Sequence, residues 1–341
     1  MRPFFNKGQQ ASFSLPGALS DTSRILCIDC GDLSELLFHA PLLTTIRRRF
    51  PGSKIDFLVP EKHAPLVVPS GLARQCMVYK ESQLNPWRPA FGTLLRKLGQ
   101  GNYDTAIVMS FNPQPRLELA ALASGASLRL GPSHKDAWPG VNFELRPGAS
   151  ADAYLGDRLD MAAPFLGFDP RELQKRWPLT ADKQRQMAQQ VHYHKPNPDM
   201  KLIGVDPGTG KTGQGFAIEN LQFLVRQLSS QLVCKVMPLG PPGDDRLQRF
   251  EETLSEVPVG LGRDTILEMV LLLAQCDLFV SGNTDFFHFA VALDVPTVGL
   301  FSKDEPASWT PRGRERARVI KVTRGEKVDI ETLMEAVDSV T

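Results

Sequence analysis

Short apolar runs alternate along the whole chain with longer segments whose apolar residues recur at helical spacing. Residues 25–28 and 55–59 are such runs, and residues 34–50 between them have the spacing of a helix that faces a core. Strands of a parallel sheet are buried on both faces and are joined by helices, which produces this alternation. We therefore predict an α/β fold built from Rossmann-like lobes.

The same pattern places the other elements of the chain. In the first half we predict further strands at 76–79, 106–109 and 127–130, and helices at 88–98, 117–124 and 152–168. In the second half we predict strands at 202–205, 233–238, 257–260, 277–281, 297–301 and 317–322. The helices expected there begin at residue 218 or cover 244–254, 265–274, 285–293 and 330–340.

A chain of 341 residues is too long for one ordinary core, so two domains are expected. The alternation stops at the polar, proline-containing stretch HKPNPDM, residues 194–200, and then starts again. We predict a flexible leader at 1–23, a first Rossmann-like lobe at 24–180, and a helix with a linker at 181–200. A second Rossmann-like lobe at 201–325 and a terminal helix at 326–341 complete the chain.

Composition narrows the classes of function. Net charge is +1, so no global field attracts nucleic acid or an anionic membrane. Five scattered cysteines are typical of thiols in a reducing compartment, and the polar leader lacks the apolar core of a signal peptide. No apolar run reaches the roughly 18 residues that a transmembrane helix needs. We predict a cytoplasmic protein with no transmembrane segment and no nucleic-acid partner, although peripheral contact with the inner membrane stays open.

Three turns of the second half follow strands, and ligands of parallel sheets bind at the carboxyl ends of strands. Residues 206–212, DPGTGKT, either bring backbone amides to a phosphate or form a plain connecting turn. A true P-loop is disfavoured, because it needs a glycine at position 205, which is a valine. Residues 281–285, SGNTD, cap a helix or line a ligand site, and His288 behind them is either a core residue or a ligand. Asp244 either complements a helix dipole or holds a ribose.

In the first half, Asp29, Asp32 and Glu35 follow the first strand. They form either a candidate general-base cluster or a capped helix start. Cys27 lies inside the strand, so its CxxC spacing with Cys30 does not predict a redox pair. No cofactor and no metal site are predicted.

Two stretches of the chain resemble glycosyltransferase family 9, the heptosyltransferases of the lipopolysaccharide inner core. They are residues 25–51, a strand, a turn and a helix that ends at RRRFPG, and residues 276–311, CDLFVSGNTDFFHFAVALDVPTVGLFSKDEPASWTP. The likeness runs from Arg24 to the end of the chain. It implies a GT-B architecture of two Rossmann-like lobes facing a cleft, with the terminal helix packed back on the N-terminal lobe. It further implies an acceptor in the N-terminal lobe and a nucleotide diphosphate-sugar donor in the C-terminal lobe.

The resemblance also implies site residues. Gapless counting puts Glu35 at the family's catalytic aspartate, and Asp32, in Gly31-Asp32, is the competing base. For the donor, Gly208 and Thr209 match the phosphate-binding turn, and Lys211 substitutes for a family lysine that is Gln214 here. Further donor-binding residues implied by the resemblance are Asp244, as a ribose clamp, Asn283, Thr284 and His288.

One departure from the family pattern concerns charge. Asp285 occupies the position at which the family has a glycine. That glycine lets backbone amides face the diphosphate. A carboxylate about 4 Å from a phosphate charge costs on the order of 4 kcal/mol near a protein surface. Its side chain therefore turns away, or the phosphates sit differently, or no such donor binds.

Three hypotheses of function follow. The first is an inverting, metal-independent glycosyltransferase that moves a sugar, heptose from ADP-heptose by family default, to a lipopolysaccharide core-type acceptor. The alternative is a catalytically weak or inactive GT-B protein that binds a nucleotide, a glycan or a protein partner. A third, less favoured, is another GT-B activity such as sugar-nucleotide epimerisation.

Overall fold

The computed structural model describes residues 14–135, 138–146, 152–194, 197, 199–211, 218–254, 261, 263–323 and 328–341. The chain divides into two compact units, residues 1–178 and 179–341. The division falls two residues before the predicted end of the first lobe, and the helix expected near 181 belongs to the second unit.

The first unit contains a parallel sheet of six strands in the described part of the chain, in the order β3-β2-β1-β4-β5-β6. The strands are β1 (Arg24–Asp29), β2 (Lys54–Pro60), β3 (Gln75–Tyr79), β4 (Thr105–Met109), β5 (Leu128–Pro132) and β6 (Phe143–Leu145). The helices are α1 (Leu33–Arg49), α2 (Ala64–Val67), α3 (Pro89–Gly99) and α4 (Pro115–Ala123). The apolar core of one face brings together strands β1 to β4 with α3 and α4.

The second unit contains a parallel sheet whose five described strands have the order β11-β10-β9-β7-β8. The strands are β7 (Lys201–Asp206), β8 (Cys234–Pro238), β9 (Leu278–Ser281), β10 (Thr297–Ser302) and β11 (Ala317–Val322). The helices are α5 (Ala181–His194), α6 (Ile218–Gln231), α7 (Asp245–Glu251), α8 (Ile266–Leu273), α9 (Asp285–Ala292) and α10 (Ile330–Asp338). Both strand orders are those of doubly wound sheets, so the predicted α/β class is confirmed.

The predicted helix at 152–168 is wrong. This stretch forms two 3₁₀-helices, Leu155–Met161 and Ala163–Leu166. Pro164 has no N–H to donate to a preceding carbonyl, and Gly167 takes a left-handed φ of 85° that ends the second helix. A helical pattern of apolar residues does not outweigh these two residues. The strand predicted at 257–260 lies outside the described residues.

The terminal helix contributes to the apolar core of the second unit. Leu333 and Val337 of α10, with Val340 after it, are buried in the same apolar core as strands β7, β9 and β10 of the second unit. Its apolar residues, at spacings of three and four, cover the sheet of its own unit. Packing of this helix on the first lobe stays a prediction.

Candidate functional site

The two sheets place their candidate sites by the same rule. In a doubly wound sheet, a ligand site forms where the chain changes its direction of strand addition, outside the carboxyl ends of the two central strands. In the second unit these strands are β7 and β9, and their last residues, Asp206 and Ser281, are register partners. In the first unit they are β1 and β4, where Asp29 is the register partner of Met109.

The glycine-rich turn after β7 is fixed against the turn after β9. The Gly208 N–H donates to Asp206 Oδ1 at 2.7 Å, and the Lys211 N–H donates to the Asn283 carbonyl at 2.7 Å. Gly210 has a φ of 70°, and a Cβ there would lie 2.9 Å from the Asn283 carbonyl oxygen. The glycine therefore permits both the backbone conformation and the close approach of the two turns.

A cavity of about 150 Å³ opens at this switch point. It brings together five of the residues that the sequence predicted for donor binding. The lining residues are Asp206, Gly208, Thr209, Gly210, Lys211, Pro241, Asp244, Thr284, Asp285 and Phe286.

Lys211 and Asp285 form an ion pair inside this cavity. The Lys211 Nζ lies 2.5 Å from Asp285 Oδ1, and the two side chains are 17% and 29% exposed. The ammonium also lies 5.4 Å from the centre of the Trp309 ring, within the range of a cation–π contact. The carboxylate expected to repel a phosphate is thus compensated by the lysine expected to attract one.

Asp206 adds a second acid at the cavity. Burial raises the pKa of its carboxyl to about 6, repulsion from Asp244 and Asp285 adds to the rise, and hydrogen bonding opposes it. Its Oδ2 is buried without a hydrogen-bond partner among the described residues. The cavity therefore combines one lysine with three carboxyl groups.

Thr284 and Asp244 act as helix caps and line the cavity at the same time. Thr284 Oγ1 accepts the Phe287 N–H at 3.2 Å at the start of α9. Asp244 Oδ1 accepts the N–H groups of Arg246 and Leu247 at 2.8 and 3.0 Å at the start of α7. The capping interpretation is correct for Thr284, and Asp244 also caps its helix, so both residues are fixed at the edge of the cavity.

His288 and Asn283 stand behind the turn and are not among the residues that line the cavity. His288 is fully buried, and its Nε2 lies 2.9 Å from Asn283 Oδ1. Burial, with the nearby Lys211 charge, lowers the pKa of His288 to about 3. The ring is neutral near pH 7, and its Nε2–H donates to the side-chain oxygen of Asn283. The backbone carbonyl of the same Asn283 accepts the Lys211 N–H. The interpretation of His288 as a core histidine fits this geometry.

In the first unit, Asp32 and Glu35 open helix α1. Asp32 Oδ1 accepts the Glu35 N–H at 3.0 Å, so Asp32 is the helix cap. The Glu35 side chain is buried, and its Oε1 accepts the Phe111 N–H at 2.9 Å and lies 3.4 Å from Asn112 Nδ2. Glu35 thus connects the start of α1 to the loop that follows β4.

A histidine–aspartate pair that sequence reasoning missed lies at the same edge. His63 Nδ1 is 2.7 Å from Asp29 Oδ2, and both side chains are almost completely buried. Asp29 Oδ1 accepts the Gly31 N–H at 2.8 Å, and the Tyr79 hydroxyl donates to the Asp29 carbonyl at 2.8 Å. His63 follows β2, which pairs with β1. Looking for polar residues after neighbouring strands, and not only after β1, would have found it.

A second pair of this kind links α4 to the end of β5. His134 Nε2 lies 2.6 Å from Glu118 Oε2, and Glu118 is fully buried. The His134 ring also stacks against Trp138 at 6.0 Å between centroids. This pair fastens the loop after β5 to the helix before it.

Comparisons with known proteins identify the family to which the chain belongs. Residues 91–337 match the family model for glycosyltransferase family 9 (heptosyltransferase). The lipooligosaccharide heptosyltransferase 2 of Haemophilus influenzae is 30% identical over 338 residues, covering 90% of this chain and 90% of that protein. No helix among the described residues is both long and apolar enough to cross a membrane.

Solved structures give the same architecture. A family 9 glycosyltransferase from Veillonella parvula superposes with a TM-score of 0.74 at 17% identity, covering 95% of this chain and 99% of that one. An E. coli heptosyltransferase solved with ADP-2-deoxy-2-fluoro heptose superposes with a TM-score of 0.68 at 17% identity, covering 93% and 100%. The protein is thus a glycosyltransferase built from the two Rossmann-like units of the GT-B architecture. Within that class, the chain belongs to glycosyltransferase family 9, the heptosyltransferases, as its motifs predicted.

Proposed function

We propose that this heptosyltransferase-like enzyme transfers heptose from ADP-heptose to a lipopolysaccharide core-type acceptor, with inversion and without a metal ion. The observation that carries the proposal is the glycine-rich turn 207–211 at the switch point of the second sheet. Its backbone and Lys211 face a cavity that Thr284 and Asp244 also line. Protein sites for such donors bind the diphosphate with backbone amides and with cations placed at helix starts.

The choice of donor is supported by similarity. The E. coli structure with the same fold holds an ADP-heptose analogue, and the H. influenzae relative is named as a lipooligosaccharide heptosyltransferase. The cytoplasm is the proposed compartment, which agrees with five cysteines that are all free thiols.

In this proposal, Gly208, Thr209 and Lys211 contact the diphosphate, and Asp244 contacts the ribose. Asn283 and His288 hold the turn that receives Lys211, and the Thr284 cap orients the start of α9. Lys211 must then exchange its partner, because its ammonium is paired with Asp285. Each donor-binding event replaces a carboxylate–ammonium contact by a phosphate–ammonium contact and leaves Asp285 to solvent.

The acceptor is proposed to bind at the carboxyl edge of the first sheet. Glu35 and Asp32 lie there, at the start of α1. Glu35 is the base that the family pattern favours by position, and Asp32 is the competing carboxylate.

Titration and turnover together test the proposal. Calorimetry with ADP should show binding that Lys211→Ala weakens about tenfold, because one charge-assisted contact worth about 1.5 kcal/mol is lost. Incubation with ADP-heptose and a heptose-deficient lipopolysaccharide should release ADP at a rate that EDTA does not change. Val233→Ala serves as the control variant, because Val233 is exposed and is not among the residues that line the cavity.

Each outcome separates the hypotheses. ADP release that requires acceptor supports the transferase. ADP binding without turnover supports a binding protein that has kept the fold. Rates that depend on added Mg²⁺ contradict the metal-independent step, and failure to bind ADP contradicts the proposed donor.

A further inference from the structure

Two groups of the turn 207–211 that could bind an anion are occupied by carboxylates of the chain itself. The Gly208 N–H donates to Asp206 Oδ1 at 2.7 Å, and Lys211 Nζ lies 2.5 Å from Asp285 Oδ1. Both carboxylates line the cavity in which the donor diphosphate is proposed to bind. A diphosphate that uses these two groups must therefore replace both carboxylates.

The two carboxylates differ in what can happen to their charge. The Asp285 side chain is 29% exposed, so water can solvate it once Lys211 has left. Asp206 is only 2% exposed, and its Oδ2 is buried without a hydrogen-bond partner among the described residues. A buried carboxylate that is incompletely hydrogen-bonded is costly in its charged form. Loss of its charge is therefore the less costly response of Asp206 to an incoming anion.

The Asp206 carboxyl is held in place by the turns on either side of it. A Cβ on Gly208 would lie 2.9 Å from Asp206 Oδ1, and a Cβ on Gly240 would lie 3.4 Å from the same oxygen. Gly208 belongs to the turn after β7, and Gly240 follows β8, which pairs with β7. The carboxyl therefore stays beside the cavity when a ligand enters, and its proton is what can change.

Charged and titratable groups of three segments surround this carboxyl. They are Lys211 of the turn, Asp244 and Arg246 at the start of α7, and Asp285 and His288 of α9. Burial, with repulsion from Asp244 and Asp285, raises the pKa of Asp206 to about 6 against the hydrogen bonds that it accepts. His288, with a pKa of about 3, is neutral at that pH. Asp206 thus changes its charge close to neutral pH.

We propose that the donor diphosphate binds together with one proton, which Asp206 takes up from the solvent; this rests on the proposed function. The proton goes to Oδ2, the oxygen without a partner. The hydrogen bond from the Gly208 N–H to Oδ1 is then no longer charge-assisted. Charge-assisted hydrogen bonds are roughly twice as strong as neutral ones, so the Gly208 N–H exchanges Asp206 for a phosphate oxygen at less cost.

The charge of the cavity supports the same coupling. Three carboxylates, Asp206, Asp244 and Asp285, and one ammonium, Lys211, line it, which gives a net charge of −2 when all are ionised. A proton on Asp206 reduces this charge to −1 before an anion enters. The bound diphosphate in turn favours the neutral form of Asp206 by like-charge repulsion. Each ligand therefore strengthens the binding of the other, as thermodynamic linkage requires.

Calorimetric titration with ADP-heptose at pH 6 and pH 7.5 tests the linkage. The diphosphate of this donor is esterified at both ends and has no proton to exchange in this range, unlike that of ADP. The wild-type Kd should rise about tenfold between the two pH values, because fewer molecules are already protonated at Asp206. Buffers of different ionisation enthalpy should reveal net proton uptake at pH 7.5, which declines towards zero near pH 5.

Two variants locate the proton. Asp206→Asn is neutral at both pH values and can still accept the Gly208 N–H, so its Kd should differ by less than about twofold between them. At pH 7.5 it should bind ADP-heptose about tenfold more tightly than wild type. Asp245→Asn is the matched control, since Asp245 is exposed, follows Asp244 and does not line the cavity, and it should keep the wild-type pH dependence. Proton uptake by the wild type tests the linkage even if Asp206→Asn does not fold.

The outcomes distinguish this inference from the function on which it rests. A wild-type Kd that is equal at both pH values, without proton uptake, overturns the linkage and leaves the proposed donor standing. A pH dependence that Asp206→Asn retains assigns the proton to another group and overturns it as well. A wild-type protein that binds no ADP-heptose at either pH contradicts the proposed function, and the linkage with it. Proton uptake that Asp206→Asn abolishes supports both.

Discussion

Each unit carries a buried histidine near the carboxyl edge of its sheet, and the two differ in the partner they contact. His63 faces the Asp29 carboxylate, whereas His288 faces the Asn283 amide oxygen. A carboxylate stabilises a protonated ring, and an amide oxygen in a buried site does so far less. The same residue type therefore contacts a charged carboxylate in one unit and a neutral amide oxygen in the other.

The surroundings of the rings reinforce this difference. His288 has the Lys211 ammonium close enough to lower its pKa, and its Nε2 already donates to Asn283. His63 contacts Asp29 through its other ring nitrogen, Nδ1. The comparison teaches that burial alone does not determine the role of a histidine. The charge of the group that contacts the ring must also be known.

The comparison breaks most directly at Asp29. Asp29→Asn should destabilise the protein by about 3 kcal/mol, because the buried His63 ring loses its charged hydrogen-bond partner. The Kd for ADP should stay unchanged, since the proposed donor residues lie in the second unit. Denaturant titrations beside calorimetry measure both quantities. An unchanged free energy of unfolding would show that the pair does not stabilise the first unit.

His288 should show its role in acid. Its folded pKa of about 3 lies below the unfolded value of 6.5, so its contribution to stability is present above pH 6.5 and declines as pH falls towards 3. Between pH 7 and pH 4 the loss should be about 3 kcal/mol. Denaturant titrations of wild type and His288→Gln at both pH values measure it. An equal acid loss in both proteins would contradict the shifted pKa.

Asp206 should show the opposite sign. Its folded pKa of about 6 lies above the unfolded 3.8, so its stabilising contribution is full below pH 3.8 and is lost as pH rises through 6. Asp206→Asn should therefore be more stable than wild type at pH 7, with the difference shrinking by about 2 kcal/mol at pH 4. The asparagine can still accept the Gly208 N–H. A destabilised variant at pH 7 would contradict this prediction.

The smallest expected effect concerns the ion pair of the cavity. Asp285→Asn should tighten ADP binding about tenfold, or roughly 1.4 kcal/mol, because Lys211 no longer exchanges a carboxylate for a phosphate. Calorimetry at two salt concentrations measures it, and the gain should shrink as salt screens the charges. Weaker ADP binding by the variant would show that Asp285 positions Lys211 for the donor.

The sequence predicted elements more reliably than contacts. Apolar runs followed by helical spacing located β1, β2 and β7 to within a residue or two, because strands of parallel sheets are apolar throughout. The failure at 152–168 came from Pro164, whose effect on backbone hydrogen bonding a pattern of apolar residues does not register.

For the site, local roles were predictable and pairings were not. Thr284 was expected as a cap on residue type alone, and it is one. The contacts of Lys211 with Asp285, 74 residues later, and of Asp29 with His63 join separate strand ends. Such pairs depend on strand order, which single-sequence patterns leave open, and on side-chain packing.

The position of Trp309 gives the donor cavity an optical signal of its own. Its ring centroid lies 5.4 Å from the Lys211 ammonium and 5.2 Å from the His288 ring centroid. The indole is therefore next to the ammonium that must exchange Asp285 for a phosphate when the proposed donor binds. When Lys211 moves to a phosphate, the electric field across the indole changes, and its fluorescence should change with it. Occupancy could then be followed without a labelled nucleotide, and Trp309→Phe would separate this signal from that of the other tryptophans.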